Sequence, residues 1–382
     1  MNGHFDDEYQ SLADLFFEQG QKHPLGGSSL AVYRDGREVV NLWQGQATQE
    51  KAWAEDTISD VFSCTKGLIS LIAAQLVERG QLELSKPVSF YWPEFAQAGK
   101  ANILVSELLQ HRAGLSAPRR DLTRAEALDR DVVIAELAAQ EPLWQPGTVH
   151  GYHALTFGHL VSKLVECVSG LTVGQYLNEH VTKPLGADAW IGLPDEQFDR
   201  LAILISDEGF KSSNPEPNSD GYWVEKAMTF GGAFPVDPTH AGGFNEQSTL
   251  KAELAGANGV TNARGLARIY SAAVCETDGL RLLSDETIRV ATVPASFGEN
   301  AWHEPAPWPI WGNGFMLSSP PDFLTPGSDG FGHNGLGGQA GWASRELRVG
   351  FGYTTTYLKS STETQANQQQ LVAKLNQILL GM

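Results

Sequence analysis

The chain has 382 residues, enough for two domains or one large composite unit. Hydrophobic residues make up 42%, which supports a sizeable core, and a net charge of −18 argues against nucleic acid and anionic membrane surfaces as partners. No stretch approaches 18 uninterrupted apolar residues, and Met1–Glu8 has neither the basic region nor the apolar run of a signal peptide, so a cytoplasmic protein with no membrane span is expected.

In chain order, Asp6 to Lys22 reads as an amphipathic helix with Leu12, Leu15, Phe16 and Phe17 on one side. Ser29–Tyr33 and Glu38–Trp43 read as a hairpin whose turn is Asp35-Gly36. The next two hundred residues are mainly helical, with candidates at 65–79, 103–110, 123–140, 155–169 and 172–184 and loop-rich interruptions. Asn258 to Cys275 is a further helix. Strands and turns return after residue 300: Trp311–Leu317, a Pro/Gly-rich loop at 319–330, then Gly338–Ala343 and Val349–Tyr357. Thr362 to Leu380 closes the chain as a helix. Strands at both ends with helices between predict an α+β fold. Its mostly antiparallel sheet comes from 1–60 and 255–382, a mainly helical region from 61–254, and the site lies in the cleft between them.

Cys64, Cys167 and Cys275 cannot all pair within one chain, and none forms a C-x-x-C. A reducing compartment is expected, with no structural zinc and no cofactor.

Phe62-Ser63-Cys64-Thr65-Lys66-Gly67 stands at the start of the 65–79 helix. A serine and a lysine three apart share a helix face, so the Lys66 amine can reach the hydroxyl that must lose its proton. The helix N-terminus favours the alkoxide and the oxyanion it generates. An S-x-x-K string arises by chance about once in a chain this long, and Ser248-Thr249-Leu250-Lys251 is a second copy. The first copy leads into an apolar run of helical spacing stopped by Gly80, whereas the second reads as an exposed loop and polar turn. Ser63 is therefore the candidate nucleophile. Cys64 points about 100° away from Ser63 and reads as a small buried hydrophobe.

Such a nucleophile needs a proton relay and donors for an oxyanion. Pro146-Gly147-Thr148, followed by Gly151-Tyr152-His153-Ala154, offers the relay. A tyrosine beside a lysine ammonium can have a lowered pKa, so a Tyr152 phenolate is one acceptor for the serine proton, and which of Lys66 and Tyr152 carries the proton at rest is not legible. His150 and His153 read as turn and surface histidines rather than bases. Phe331-Gly332-His333-Asn334-Gly335-Leu336-Gly337-Gly338-Gln339 offers the third element, a glycine-rich strand edge where N–H groups can face an oxyanion.

Taken together, these elements resemble the serine β-lactamase-like superfamily. Within it the chain looks most like the family VIII carboxylesterases, relatives of class C β-lactamases and DD-peptidases. Leu108-Leu109-Gln110-His111-Arg112-Ala113-Gly114-Leu115 and the Asn258-Gly259 to Arg268 segment match further signatures of the group. The resemblance implies a β-lactamase/DD-peptidase-like fold. Ser63 would be the acylated nucleophile, Lys66 the base, and Tyr152 the relay to the leaving group. His333, Asn334 and Gly335 would stand where lactamases usually have K-T-G. The oxyanion N–H groups would come from Ser63 and Leu336, or from Gln339 if Leu336-Gly337-Gly338 takes the W-G-G register. His153, Trp223, Trp311 and Gln339 are candidate substrate contacts. Trp302 and Trp308 are further aromatic candidates, all four tryptophans serving equally well as core residues.

Two departures bear on the substrate. Ala154 stands where lactamases have the asparagine of Y-x-N, and His333 replaces the lysine that meets the lactam carboxylate. Both favour neutral esters of short acyl chains or small alcohols. A β-lactamase, an amide hydrolase or peptidase, and an acyltransferase of the same fold are the alternatives. A silent binding scaffold is a further one, opposed by the intact triad. No G-x-S-x-G elbow occurs. Ser219-Asp220-Gly221 and Ser328-Asp329-Gly330 fall too late for an S-D-N element and read as turns. The partner is a small-molecule ester, with no nucleic acid and no membrane, and the oligomeric state is not legible.

Overall fold

Eight strands form one sheet in the order Asn2–Phe5, Arg37–Gly45, Gly27–Arg34, Val349–Thr355, Ala340–Ser344, Phe331–Asn334, Met316–Leu317 and Ile310–Trp311. Every neighbouring pair is antiparallel. The sheet is thus assembled from both ends of the chain. The computed structural model describes residues 2–22, 25–206, 209–359 and 362–381. Asp35 and Gly36 both adopt positive φ, 51° and 77°, the pairing that a two-residue turn between right-twisted strands requires.

Successive side chains of a strand point to opposite faces, and the two sides of this sheet are covered differently. Leu30 and Val32 pack with Leu12 and Phe16 of the helix Gln10–Gln21 and with Leu371 and Leu375 of the helix Thr362–Leu380. Ala31 and Tyr33 instead meet Ala263 and Ala267 of the helix Ala263–Val274. That helix lies directly on the strand Val349–Thr355. A Cβ on Gly352 would stand 2.1 Å from the Ala263 carbonyl oxygen, and one on Gly350 2.1 Å from that of Ala267. Only glycine permits this approach.

The helix Cys64–Glu78 is buried from Cys64 to Leu76. It is apolar all round, as expected of a helix covered on every side. It packs against the helix Thr156–Ser169, the strand Phe331–Asn334 and the helix Asp285–Ala291.

Several elements depart from the sequence reading. The 123–140 helix is two, Arg124–Leu128 and Arg130–Ala139, because Asp129 leaves the helical region and accepts the N–H groups of Asp131 and Val132. The 172–184 helix is Val173–Leu177, a π turn at Asn178–Thr182, and Lys183–Leu185. Ser219 is a helix cap rather than a turn residue: its hydroxyl accepts the Tyr222 N–H and starts the helix Asp220–Thr229, which the sequence did not suggest. Asn2–Phe5 was likewise unexpected as a strand. No helix among the described residues is long and apolar enough to cross a membrane.

Candidate active site

The turn into the central helix is sharp. Phe62 has φ 45°, a left-handed conformation that costs a non-glycine residue about 1–3 kcal/mol. The Asp60 carboxyl accepts the Phe62 N–H at 2.7 Å, and the Phe62 carbonyl accepts the Thr65 hydroxyl at 2.5 Å. Thr65 in turn accepts the Gly259 N–H at 2.7 Å. These bonds hold Ser63 at the helix start.

Ser63 Oγ lies 3.0 Å from Lys66 Nζ and 2.8 Å from the Tyr152 hydroxyl. Lys66 is fully buried, and its amine also donates to the Gly256 carbonyl at 2.6 Å. It sits 4.9 Å from the centre of the Tyr152 ring. Burial holds the Lys66 pKa well below its usual 10.5 and so favours the neutral amine. Burial also pushes the Tyr152 phenol up, outweighing the lowering effect of its bond to Ser63. Of the two protonation patterns the sequence left open, burial favours the one with a neutral amine and a neutral phenol over a Tyr152 phenolate.

Gly256 is where two chain segments press together. A Cβ there would stand 2.6 Å from the Leu155 carbonyl oxygen and 3.0 Å from that of Ala154. Its missing side chain thus lets the carbonyl that binds Lys66 sit against the segment just after Tyr152.

Tyr152 is held by its neighbours. Trp311 stacks on it with ring centres 5.5 Å apart and planes at 13°. His111, from the Leu108–Leu115 signature, accepts the His153 N–H at Nδ1, 3.2 Å away, and its own carbonyl accepts the Gly151 N–H at 3.0 Å. His153 is fully buried: Nε2 accepts the Leu115 N–H at 3.0 Å, which leaves the proton on Nδ1 to donate to the Gly151 carbonyl at 2.6 Å. This histidine braces the turn that carries Tyr152 and lines neither cavity beside Ser63, which corrects both its surface reading and its place as a substrate contact.

His333 donates from Nδ1 to the Asn334 carbonyl at 2.6 Å, and its buried Nε2 has no partner among the described residues. Burial pushes its pKa down to about 3, so the ring is neutral.

Two cavities flank Ser63 and share Ser63, Met228 and Leu336 on their walls. One, of about 260 Å³, is also lined by Tyr152, Trp311, His333, Asn334 and Gly335. The other, of about 370 Å³, is more apolar and carries Ala154, Leu155, Val236 and Phe244. Neither the Ser63 nor the Leu336 N–H has an acceptor among the described residues, which leaves both available to an oxyanion.

Ser63, Lys66, Tyr152, Trp311, His333, Asn334, Gly335 and Leu336 thus come together. The Gln339 side chain does not: it is fully buried, and Nε2 donates to the Thr355 carbonyl at 2.9 Å, while its backbone N–H, like that of Leu336, has no acceptor among the described residues. Trp223 lies on the helix Asp220–Thr229 and stacks on Trp302 at 6.2 Å, behind the cavity walls, and Trp308 also lines neither cavity. Ser248 is exposed and Lys251 pairs with Asp195, so the second S-x-x-K forms no site. The Cys64 thiol is buried and donates to the His333 carbonyl at 3.4 Å. Met228, Asn300 and Glu304 line the site but were not expected; they lie in segments without periodicity or motif. Among the described residues, no group of three His, Cys, Asp or Glu side chains is placed to hold a metal ion.

A family model described as Beta-lactamase matches residues 12–374. Over 369 residues the chain is 32% identical to Esterase/beta-lactamase LipL of Mycobacterium tuberculosis, covering 91% of this chain and 81% of that one. The fold superposes on EstA from Arthrobacter nitroguajacolicus Rue61a with a TM-score of 0.87 at 30% identity, covering 100% of this chain and 99% of the other. It superposes equally on a family VIII carboxylesterase, with a TM-score of 0.87 at 29% identity and coverage of 98% and 99%.

Proposed function

The chain belongs to the Beta-lactamase family and is a serine hydrolase of that fold; on this premise we propose that it hydrolyses short-chain carboxylic esters through an acyl-enzyme on Ser63. The observation that carries this reading is the placement of Ser63 Oγ 3.0 Å from the buried Lys66 amine, whose pKa burial lowers, and 2.8 Å from the Tyr152 hydroxyl.

The Lys66 lone pair takes the Ser63 proton as Oγ attacks the ester carbonyl. The two unengaged N–H groups of Ser63 and Leu336 receive the oxyanion. Tyr152 gives its proton to the departing alkoxide and recovers one from Lys66, whose ammonium is meanwhile favoured by the ring 4.9 Å away. Water then repeats the cycle on the acyl-enzyme.

Tyr152 lines the 260 Å³ cavity and not the other, so the leaving alcohol belongs there. The acyl group belongs in the apolar cavity beside Ala154. Ala154 has no amide to meet a lactam side chain, and neutral His333 offers no cation to a lactam carboxylate. Both features support an ester over a lactam. LipL carries both activities in its name, so lactam hydrolysis is the second reading.

Exposure to a p-nitrophenyl alkylphosphonate followed by intact mass and peptide mapping tests the assignment. One phosphonyl group on Ser63 is expected. Ser63→Ala should abolish turnover of p-nitrophenyl butyrate while Ser248→Ala leaves it intact; equal loss from both would remove Ser63 from its role. Turnover of a chromogenic cephalosporin rivalling that of the ester would establish the second reading instead.

A further inference from the structure

The wall of the leaving-group cavity carries one carboxylate, Glu304, on the loop between the helix Asp285–Ala291 and the sheet. This loop is organised rather than loose. Asn300 Oδ1 accepts the N–H groups of Trp302 at 2.9 Å and Glu304 at 3.4 Å, and Asn300 Nδ2 donates to Glu304 Oε2 at 2.9 Å. The Trp308 indole N–H donates to the Glu304 carbonyl at 2.8 Å. The Ala301 N–H donates to the His150 carbonyl at 2.8 Å, which ties the loop to the turn that carries Tyr152.

The charge on this wall is one-sided. The other ionisable side chains lining the cavity are His150, Tyr152 and His333, and burial favours the neutral form of each. No lysine or arginine lines it, and no cation among the described residues pairs with Glu304. Glu304 is partly buried, and that burial raises its pKa, as expected for a carboxylate short of a counter-charge. Trp311, Tyr152 and Phe323 line the same space with aromatic surface. A carboxylate with aromatic walls is the chemistry that recognises an organic ammonium ion.

We propose that Glu304 makes this cavity select esters whose alcohol carries a protonated or quaternary amine. The inference rests on the assignment of the cavity to the leaving group. The same carboxylate repels a leaving portion that carries an anion, as the carboxylate of a cephalosporin does. Ester exclusion of lactams then has a charge on the wall behind it, in addition to the missing asparagine and lysine. Glu304 acts as a specificity residue: it touches the alcohol, not the reacting atoms.

The test uses two butyrate esters of one shape. Butyrylcholine carries a quaternary nitrogen, and 3,3-dimethylbutyl butyrate has carbon in its place. Acid release in a pH-stat gives kcat/KM for each. A preference of roughly 10-fold or more for the cationic ester is expected, about 1.4 kcal/mol for each tenfold. Glu304→Gln keeps the size of the side chain and should bring that ratio close to one, chiefly by raising KM for butyrylcholine. A wild-type ratio near one, or a ratio unchanged by Glu304→Gln, would overturn the proposal.

Failure of the esterase reading is separable. If neither ester nor p-nitrophenyl butyrate is turned over, calorimetric titration with choline and with 3,3-dimethylbutan-1-ol decides on Glu304 alone. Choline binding that is stronger than that of its carbon isostere, and weakened about tenfold by Glu304→Gln, upholds the cation site without the hydrolysis. Equal or absent binding of the two rejects it.

Discussion

Lys66→Met is expected to abolish turnover while stabilising the protein at neutral pH. Lys66 is fully buried, with its pKa well below the usual 10.5. Between the folded pKa and 10.5 the unfolded chain holds a proton on this lysine that the native state does not. Native stability therefore rises with pH across that window and is lost as pH falls, by about 1.4 kcal/mol per unit. Methionine removes the dependence. It also removes the bond to the Gly256 carbonyl at 2.6 Å, and an unpaired buried carbonyl costs about 1–3 kcal/mol. Near pH 10.5 the variant should thus be the less stable protein by roughly that amount. That deficit shrinks as pH falls, and a crossover comes where the wild type's loss equals the cost of the carbonyl. Below it the variant gains on the wild type until the folded pKa of Lys66 is reached. Urea unfolding of both proteins between pH 7 and about 10 measures the difference directly. A stability difference that stays flat over this range, or that slopes the other way, would mean that Lys66 is an ammonium in the folded protein and that the neutral-base mechanism is wrong.

Three further outcomes are expected. Tyr152→Phe should lower kcat for p-nitrophenyl butyrate by about 10²–10⁴ and change stability by about 1 kcal/mol or less; full activity in that variant would remove the relay. Gly256→Ala places a methyl 2.6 Å from the Leu155 carbonyl oxygen, so the carbonyl on Lys66 must move. A stability loss of about 1–3 kcal/mol and a lowered kcat should appear together in melts and kinetics. Burial holds His153 and His159 down to about 4 and His333 to about 3. Below pH 6.5 each protonates first in the unfolded chain, so each removes stability, by up to about 1.4 kcal/mol per unit, as pH falls toward its folded value. His159→Gln should flatten the acid limb of the urea midpoint by one proton, and an unchanged limb would contradict its burial as a neutral ring.

What was legible in the sequence was local or repeated. Ser63 and Lys66 are three apart on one helix, so spacing alone brings them together. The sheet alternates Leu30 and Val32 with Ala31 and Tyr33, and alternation survives in a string of letters. Tyr152 stands 89 positions after Ser63 (152 − 63) and was readable only as part of a motif. Its protonation was not legible because a pKa depends on burial, which spacing does not carry. Ser219 shows another limit, since a serine that caps a helix and one that makes a turn use the same hydroxyl bond to a nearby N–H. The helix it starts, with Met228 facing both cavities, was lost with it. Asn2–Phe5 is a mostly exposed edge strand held through its backbone pairing with Arg37–Gly45, so no apolar period marks it. Gln339 shows the reverse: a polar residue beside a glycine run suggested an accessible edge, yet its amide is enclosed against Thr355.

In the proposed mechanism the reaction machinery and the choice of substrate are built from different parts of this fold. Ser63, Lys66 and Tyr152 sit on or against the buried central helix, where packing fixes them and where loss of water drives Lys66 toward the free amine. None of them distinguishes an ester from a lactam, because both present a carbonyl to the same hydroxyl. The distinction has to come from the walls, and there the acidic side chain is Glu304, held by Asn300 on a loop outside the regular elements. Ala154 withholds an amide on the acyl side, and His333 withholds a cation on the alcohol side. Both are subtractions, and by themselves they would leave a permissive pocket. A carboxylate is an addition, and it gives the alcohol side a sign. Restoring lactam recognition would then take more than Ala154→Asn and His333→Lys, because Glu304 would still put a carboxyl on the wall that a lactam carboxylate must face.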